Sequence, residues 1–254
     1  MRDQALNGRR ALVTGASRGI GAAIARTLAQ RGAEVFLVAR DKEKLANLAD
    51  ELSGFGAPVQ VFAADLSDEH SVEQLISAVR DTGDRLDILV NNAGVLPKAR
   101  RMEKLSRSEW NSILDLNLTS PWFLACRAKE MMAPTGGGVI VNMASTAAFF
   151  PSAGLAPYNV SKAGLAMLTK VCALEWARDN VRVLGVAPGK VDTGMVAPIL
   201  EWSEANNVEI NPLRRIGDPT EIAKLVAYLV SDDASYMTGT VVPIDGGELL
   251  TFGR

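Results

Sequence analysis

Ala11-Leu12-Val13-Thr14-Gly15-Ala16-Ser17-Arg18-Gly19-Ile20-Gly21 is the stretch whose reading decides the fold. A short apolar strand runs into Gly15, Gly19 and Gly21, and residues 22–31 then read as a helix. Glycine lets a backbone turn tightly and approach a ligand closely, and the start of a helix offers unpaired N–H groups to an anion. Between the first strand and first helix of an alternating chain, this pattern points to a pyrophosphate cradle for a dinucleotide, with a plain structural turn as the alternative. The candidate contacts are Gly15, Ser17, Arg18, Gly19, Ile20 and Gly21.

Outward from that stretch, apolar runs alternate with helical segments. Val35-Phe36-Leu37-Val38, Val59-Gln60-Val61-Phe62, Ile88-Leu89-Val90, Val139-Ile140-Val141, Val181-Arg182-Val183-Leu184 and Thr240-Val241-Val242-Pro243-Ile244 complete a set of seven strands. Most are apolar on both faces, as strands buried in a parallel sheet are. The expected architecture is a single α/β domain over residues 1–254, a doubly wound seven-stranded parallel sheet with helices on both faces. A chain of 254 residues with 48% hydrophobic content has ample core for it.

Composition excludes several other functions. A net charge of −2 gives no general attraction to nucleic acid or to an anionic membrane. No apolar run reaches the ~18 residues of a membrane span, and Met1-Arg2-Asp3-Gln4 lacks a signal-peptide core, so a cytoplasmic protein is expected. His70 is the only histidine, which removes a His-rich metal site and any Ser-His-Asp triad; no metal is expected. Cys126 and Cys172 fall in helix interiors and read as reduced thiols.

The strand ends carry the remaining polar signals. The second strand closes on Ala39-Arg40-Asp41. Ala39 stands where an acidic residue would hold a ribose 2′-hydroxyl, and Arg40 and Arg18 could flank a 2′-phosphate, so NADP is expected over NAD. Asp41 reads as the cap of the next helix and keeps NAD open as the alternative. Asp65, followed by Leu66, ends the third strand and could accept from the adenine amino group, although capping by Ser67 and Asp68 explains the same polarity. In Asn91-Asn92-Ala93-Gly94, amides that both donate and accept could tie the sheet end together or meet a cofactor. Asn117 sits inside the helix 108–131 as a core amide that needs partners, with Pro121 just beyond as a source of distortion.

Tyr158 and Lys162 stand at i and i+4 of a run of helix formers, so both side chains rise from one face. A phenol titrates near 10; an adjacent ammonium would favour the phenolate and draw its pKa toward 7, where acid–base work is efficient. On spacing alone, an exposed Tyr and Lys is the competing reading.

Taken in order, Thr14–Gly21, Asp65, Asn91–Gly94, Asn117, Ser145, Tyr158-x-x-x-Lys162 and Pro188-Gly189 resemble the short-chain dehydrogenase/reductase family, over nearly the whole chain to Asp245-Gly246-Gly247. The resemblance implies a Rossmann fold and a catalytic set of Asn117, Ser145, Tyr158 and Lys162. Ser145 would hydrogen-bond a substrate carbonyl and Tyr158 would donate its proton. Lys162 would lower the tyrosine pKa and hold the nicotinamide ribose, and Asn117 would position a water linking Lys162 to solvent. Thr146 also has a hydroxyl, but Ser145 has the family's spacing to Tyr158.

The cofactor set implied beside the glycine turn is Arg40, Asp65, Leu66, Asn92, Ala93, Gly94, Tyr158, Lys162, Pro188, Gly189, Val191 and Thr193. Residues 194–212, with Met195, Pro198, Trp202 and Asn206-Asn207, would form a substrate lid.

Within the family the chain is similar to the β-ketoacyl-carrier-protein reductases, implying NADPH-linked reduction of a 3-oxoacyl-type ketone. Gly136 and Asp179 stand where those reductases commonly present arginine for carrier docking, with Lys129 and Arg178 nearby. A dehydrogenase of a free secondary alcohol, polyol or sugar acid is the alternative, and a nucleotide-sensing binding protein the alternative of another class. The resemblance also implies a homotetramer. Its apolar contact would come from Trp110, Trp122, Phe123, Met131, Met167, Leu168, Val171 and Trp176 on helices 111–131 and 158–178.

Overall fold

The computed structural model describes residues 5–194 and 210–251. Strands and helices alternate as β1 Arg10–Thr14, α1 Gly19–Gln30, β2 Glu34–Ala39, α2 Lys42–Ser53, β3 Val59–Ala63, α3 Glu69–Asp81 and β4 Ile88–Asn91. The second half continues with α4 Arg107–Leu114, a π-turn Asp115–Thr119, α5 Ser120–Met132, β5 Gly138–Met143, α6 Ala156–Trp176, β6 Val181–Pro188, α7 Pro219–Leu229 and β7 Val241–Ile244. The seven strands form one parallel sheet in the order β3-β2-β1-β4-β5-β6-β7.

Each expected strand is present, several longer by a residue or more; β6 runs on to Pro188. Alternate residues of one strand feed opposite faces, because successive Cβ atoms point to opposite sides. Val13, Val35 and Leu37 join a core with α1, α2 and α7, whereas Leu12, Phe36 and Val38 join a second with α3, α5 and α6. The strand order reverses between β1 and β4, opening a crevice at the carboxyl ends of the strands.

Two helices depart from expectation. The first begins at Gly19, three residues earlier than the pattern 22–31, with extended Arg18 as its N-cap. The helix expected over 108–131 is broken by the π-turn, and Asn117 lies in it. Pro121 has no N–H to return to the carbonyl four residues before it, so an α-helical ladder cannot run through that point.

The outward faces of α5 and α6 also differ in detail. Trp122, Met167 and Val171 are exposed as expected, but Met131 is buried at 2% exposure. Phe123, Leu168 and Trp176 pack partly against the core, and Trp110 is half-buried. Leu174, not anticipated from the pattern, is 82% exposed. Cys172 is buried and its thiol pushed up to about 11 by that burial; Cys126 is partly buried, and both are free thiols. Among the described residues no helix is long and apolar enough to cross a membrane.

Candidate active site

Two joined clefts occupy the crevice. The larger, about 720 Å³, is lined by Gly15, Ser17, Arg18, Gly19, Ile20 and Gly21, by Arg40, Asp65 and Leu66, and by Asn92, Ala93, Gly94 and Thr193. The smaller, about 120 Å³, is lined by Ser145, Tyr158, Lys162, Pro188, Gly189 and Val191. Ile20, Asn92, Gly94, Val95 and Thr193 line both. Of the expected site residues only Asn117 lies behind the walls, fully buried. Of the expected lid, residues 195–209 lie outside the described residues.

The glycine turn is closed by its own backbone. Gly15 and Gly19 have φ of +64° and +56°, and a Cβ on Gly21 would stand 2.3 Å from the Gly15 carbonyl oxygen. Asn92 braces the turn: its Nδ2 donates to the Thr14 and Gly15 carbonyls at 2.9 and 3.3 Å. Thr14 Oγ1 accepts from the Asn92 and Ala93 amides, each at 2.9 Å. Asn92 therefore both ties the sheet end and lines the cleft, while the buried Asn91 side chain donates to Asn142 Oδ1 and the Pro121 carbonyl.

Side chains cap α2, α3, α4 and α7, from Asp41, Asp68, Ser106 and Asp218. No side chain caps α1. Its first-turn N–H groups suit a pyrophosphate, so the residues present fit a dinucleotide.

At the far end, Asp41 lines the larger cleft and also caps α2. Its carboxylate accepts from the Lys44 amide at 3.1 Å and from Lys44 Nζ at 2.6 Å, which holds it below the usual carboxylate range. Lys44 lines the larger cleft beside exposed Arg18 and Arg40, a third cation that the sequence reading missed. The signal for it was legible: the residue at i+3 from a helix cap lies over that cap. Asp65 accepts from the Ser67 hydroxyl and amide at 2.7 and 3.0 Å, which lowers its pKa, and still lines the cleft. The cap of α3 is Asp68, not Ser67.

Ser145 leaves β5 in extended conformation, its Oγ accepting from the Ala147 amide at 3.2 Å. Thr146, the competing hydroxyl, is buried and turned to Glu248. Tyr158 and Lys162 rise together from the first turns of α6, with Lys162 Nζ 5.8 Å from the phenol ring centroid. The ammonium donates to the Met143 carbonyl at 2.8 Å. A main-chain partner leaves no trace in side-chain chemistry, so the sequence could not reveal it.

The expected lowering of the tyrosine pKa is not what this geometry produces. Burial raises the Tyr158 phenol above its ordinary value, and a hydrogen bond with Ser145 pulls back against that. Burial also pushes Lys162 down to about 8. Removal from water penalises phenolate and ammonium alike, and here desolvation is the largest cause for both. Asn117 spends its amide on structure: Nδ2 donates to the Val95 carbonyl at 2.9 Å and Ser161 Oγ at 3.3 Å, and Oδ1 accepts from the Val95 amide at 2.9 Å.

An uncapped helix start at the switch point of a parallel sheet, joined to a cleft holding a serine, a tyrosine and a buried lysine, defines a dinucleotide-binding α/β enzyme. Residues 15–248 match a family model described as Enoyl-(Acyl carrier protein) reductase. The chain belongs to the short-chain dehydrogenase/reductase family of oxidoreductases.

It is 38% identical to dehydrogenase/reductase SDR family member 4 of Oryctolagus cuniculus, covering 93% of this chain and 92% of that one. It is 34% identical to the 3-oxoacyl-[acyl-carrier-protein] reductase FabG of Thermotoga maritima, covering 95% and 98%. The crystal structure of L-sorbose reductase from Gluconobacter frateurii, complexed with NADPH and L-sorbose, superposes with a TM-score of 0.91 at 32% identity, covering 98% and 100%.

Proposed function

We propose that the protein is an NADPH-linked carbonyl reductase that converts a 3-oxoacyl-type ketone to a secondary alcohol. The observation that carries this is the placement of Ser145, Tyr158 and Lys162 in one cleft continuous with the glycine cradle. The α1 start and its glycines hold the pyrophosphate; Arg18, Arg40 and Lys44 hold the 2′-phosphate. Asp65 and Leu66 bound the adenine, and Pro188, Gly189, Val191 and Thr193 wall the nicotinamide. A bound nicotinamide supplies hydride for the carbonyl carbon.

The chain's own residues handle the proton. Ser145 donates to the carbonyl oxygen and orients it, and the Tyr158 hydroxyl delivers a proton to the same oxygen as charge develops there. Lys162 holds the ribose and supplies positive charge as the phenol loses its proton. Asn117 acts through the Val95 backbone, which it ties to Ser161 of α6. The reading takes residues 1–254 as one domain, 194–212 as its lid, and the cytoplasm as its location.

A free secondary alcohol, polyol or sugar acid is the second reading. It is favoured by the Lys129–Asp179 pair at 2.8 Å, which neutralises a cation where an acidic carrier would need one. A panel of ketones, alcohols and acyl-thioesters, read by NADPH and NADH absorbance, separates the two. Cofactor binding without turnover on any of them would point instead to a nucleotide-sensing protein. Tyr158→Phe is expected to lose roughly 10²–10⁴-fold in kcat with cofactor affinity nearly unchanged. A variant keeping more than about a tenth of kcat contradicts the role given to the phenol.

A further inference from the structure

Asp245 accepts from the Gly247 and Leu249 amides at 2.9 and 2.8 Å and so turns the chain after β7 back on itself. That turn delivers Glu248 into the interior, 7% exposed. Its carboxylate meets two separate segments there. Oε1 pairs with Lys190 Nζ, which also donates to the Ile210 carbonyl at 3.2 Å. Oε2 accepts from Thr146 Oγ1 at 3.4 Å. Oε2 also lies against Gly189, where an added Cβ would stand 2.7 Å from it.

Neither charge lines the smaller cleft, yet Lys190 is the chain neighbour of two residues that do and Glu248 bonds to the chain neighbour of a third. Lys190 lies between Gly189 and Val191, and Thr146 follows Ser145. A partly buried ion pair is costly unless both charges and their remaining bonds are satisfied, and this one is completed by Thr146 and the Ile210 carbonyl, directly behind the site wall.

We propose that Glu248 and Lys190 are positioning residues that set the wall facing the nicotinamide and the adjacent Ser145, coupling the C-terminal turn to the reacting end of the cleft. This rests on the functional reading above only in taking that end as the nicotinamide's. Removing one partner leaves the other charge buried alone, so Gly189, Val191 and Ser145 shift while the adenine end, built on β1 to β3, does not.

Titrating NADPH and adenosine 2′,5′-bisphosphate against Glu248→Gln, Lys190→Met and the double variant tests this, with NADH and AMP run alongside. Each single variant is expected to bind the full dinucleotide about 10-fold or more weakly, with the adenine-end probe held within about two-fold; a tenfold change is small against the usual cost of breaking a buried pair. The double variant, with no lone buried charge, should recover part of the loss.

Unchanged dinucleotide binding, or equal losses for both probes, overturns the inference, the latter by showing a general loss of structure. A double variant no better than the single ones also overturns it. If the wild-type protein binds neither dinucleotide, the functional reading fails first. If the wild type binds and the variants match it, only the positioning role fails.

Discussion

Lys162 is 5% exposed and donates to the Met143 carbonyl, and burial pushes its pKa down from 10.5 to about 8. Between those values the unfolded lysine is protonated and the folded one is not, so the unfolded state binds more protons and stability rises with pH. The penalty is complete below about 8 and gone above 10.5, a span on the order of 3 kcal/mol. Lys162→Met removes it. The unfolding free energy of wild type relative to that variant should therefore rise by on the order of 2 kcal/mol between pH 7 and pH 9.5 in urea titrations. A constant difference would mean that the ammonium is not paying for its burial. At the other end of the crevice, Arg40→Ala and Lys44→Ala should each weaken NADP about 10-fold, the scale of one lost charge-assisted bond, and leave NAD nearly untouched. Equal losses of both cofactors, measured by titration, would show the two cations to be structural.

At the scale of elements, the β1–α1 junction decides more than its helix propensity suggests. Gly21 lies in α1 at a φ that alanine accepts, and an alanine there would ordinarily strengthen a helix by about 1 kcal/mol. Its Cβ would stand 2.3 Å from the Gly15 carbonyl oxygen and 2.5 Å from Asn92 Nδ2, and the first of these is backbone that cannot swing aside. Overpacking of that kind costs about 1–3 kcal/mol, so the net sign is destabilising. Gly21→Ala is expected to lower the melting temperature and weaken dinucleotide binding together; a variant with raised stability and full binding would contradict the close approach. The π-turn before α5 is the complementary case. Its irregularity places Asn117 against Val95 and Ser161, a contact that a continuous helix would not be set to make.

For the whole molecule, the unsatisfied feature is the outer face of α6 and its neighbour. Met167, Val171 and Leu174 follow at helical spacing along one stripe, with Trp122 on α5 also exposed. A monomer rarely leaves such a stripe in water, and we propose that a second copy of the same chain would cover it by two-fold symmetry. The expected assembly is a homotetramer, with Leu174→Glu and Met167→Glu each lowering the mass seen by light scattering at micromolar concentration. A wild-type mass near 27.1 kDa would refute assembly, and a dimer would refute the tetramer while keeping the contact through α5 and α6.

Strand positions, the glycine turn and the shared face of Tyr158 and Lys162 were legible because they depend on local pattern: apolar runs, glycine in a turn, and fixed spacing along one helix; Ser145 came only through the family resemblance. Lys44 was within reach of the same logic. The direction of the Tyr158 shift was not, because it depends on how much water the folded crevice removes, a quantity no spacing encodes. The use of the Asn117 amide depended on where Pro121 forced the helix to widen, and Met131 turned inward with the rotation of α5 beyond that point. The Lys190–Glu248 pair, 58 residues apart, arises only because β6 and the turn after β7 end side by side. Local chemistry determined which residues face the crevice; burial and long-range juxtaposition, which exist only once the sheet has closed, decided their charge states and partners.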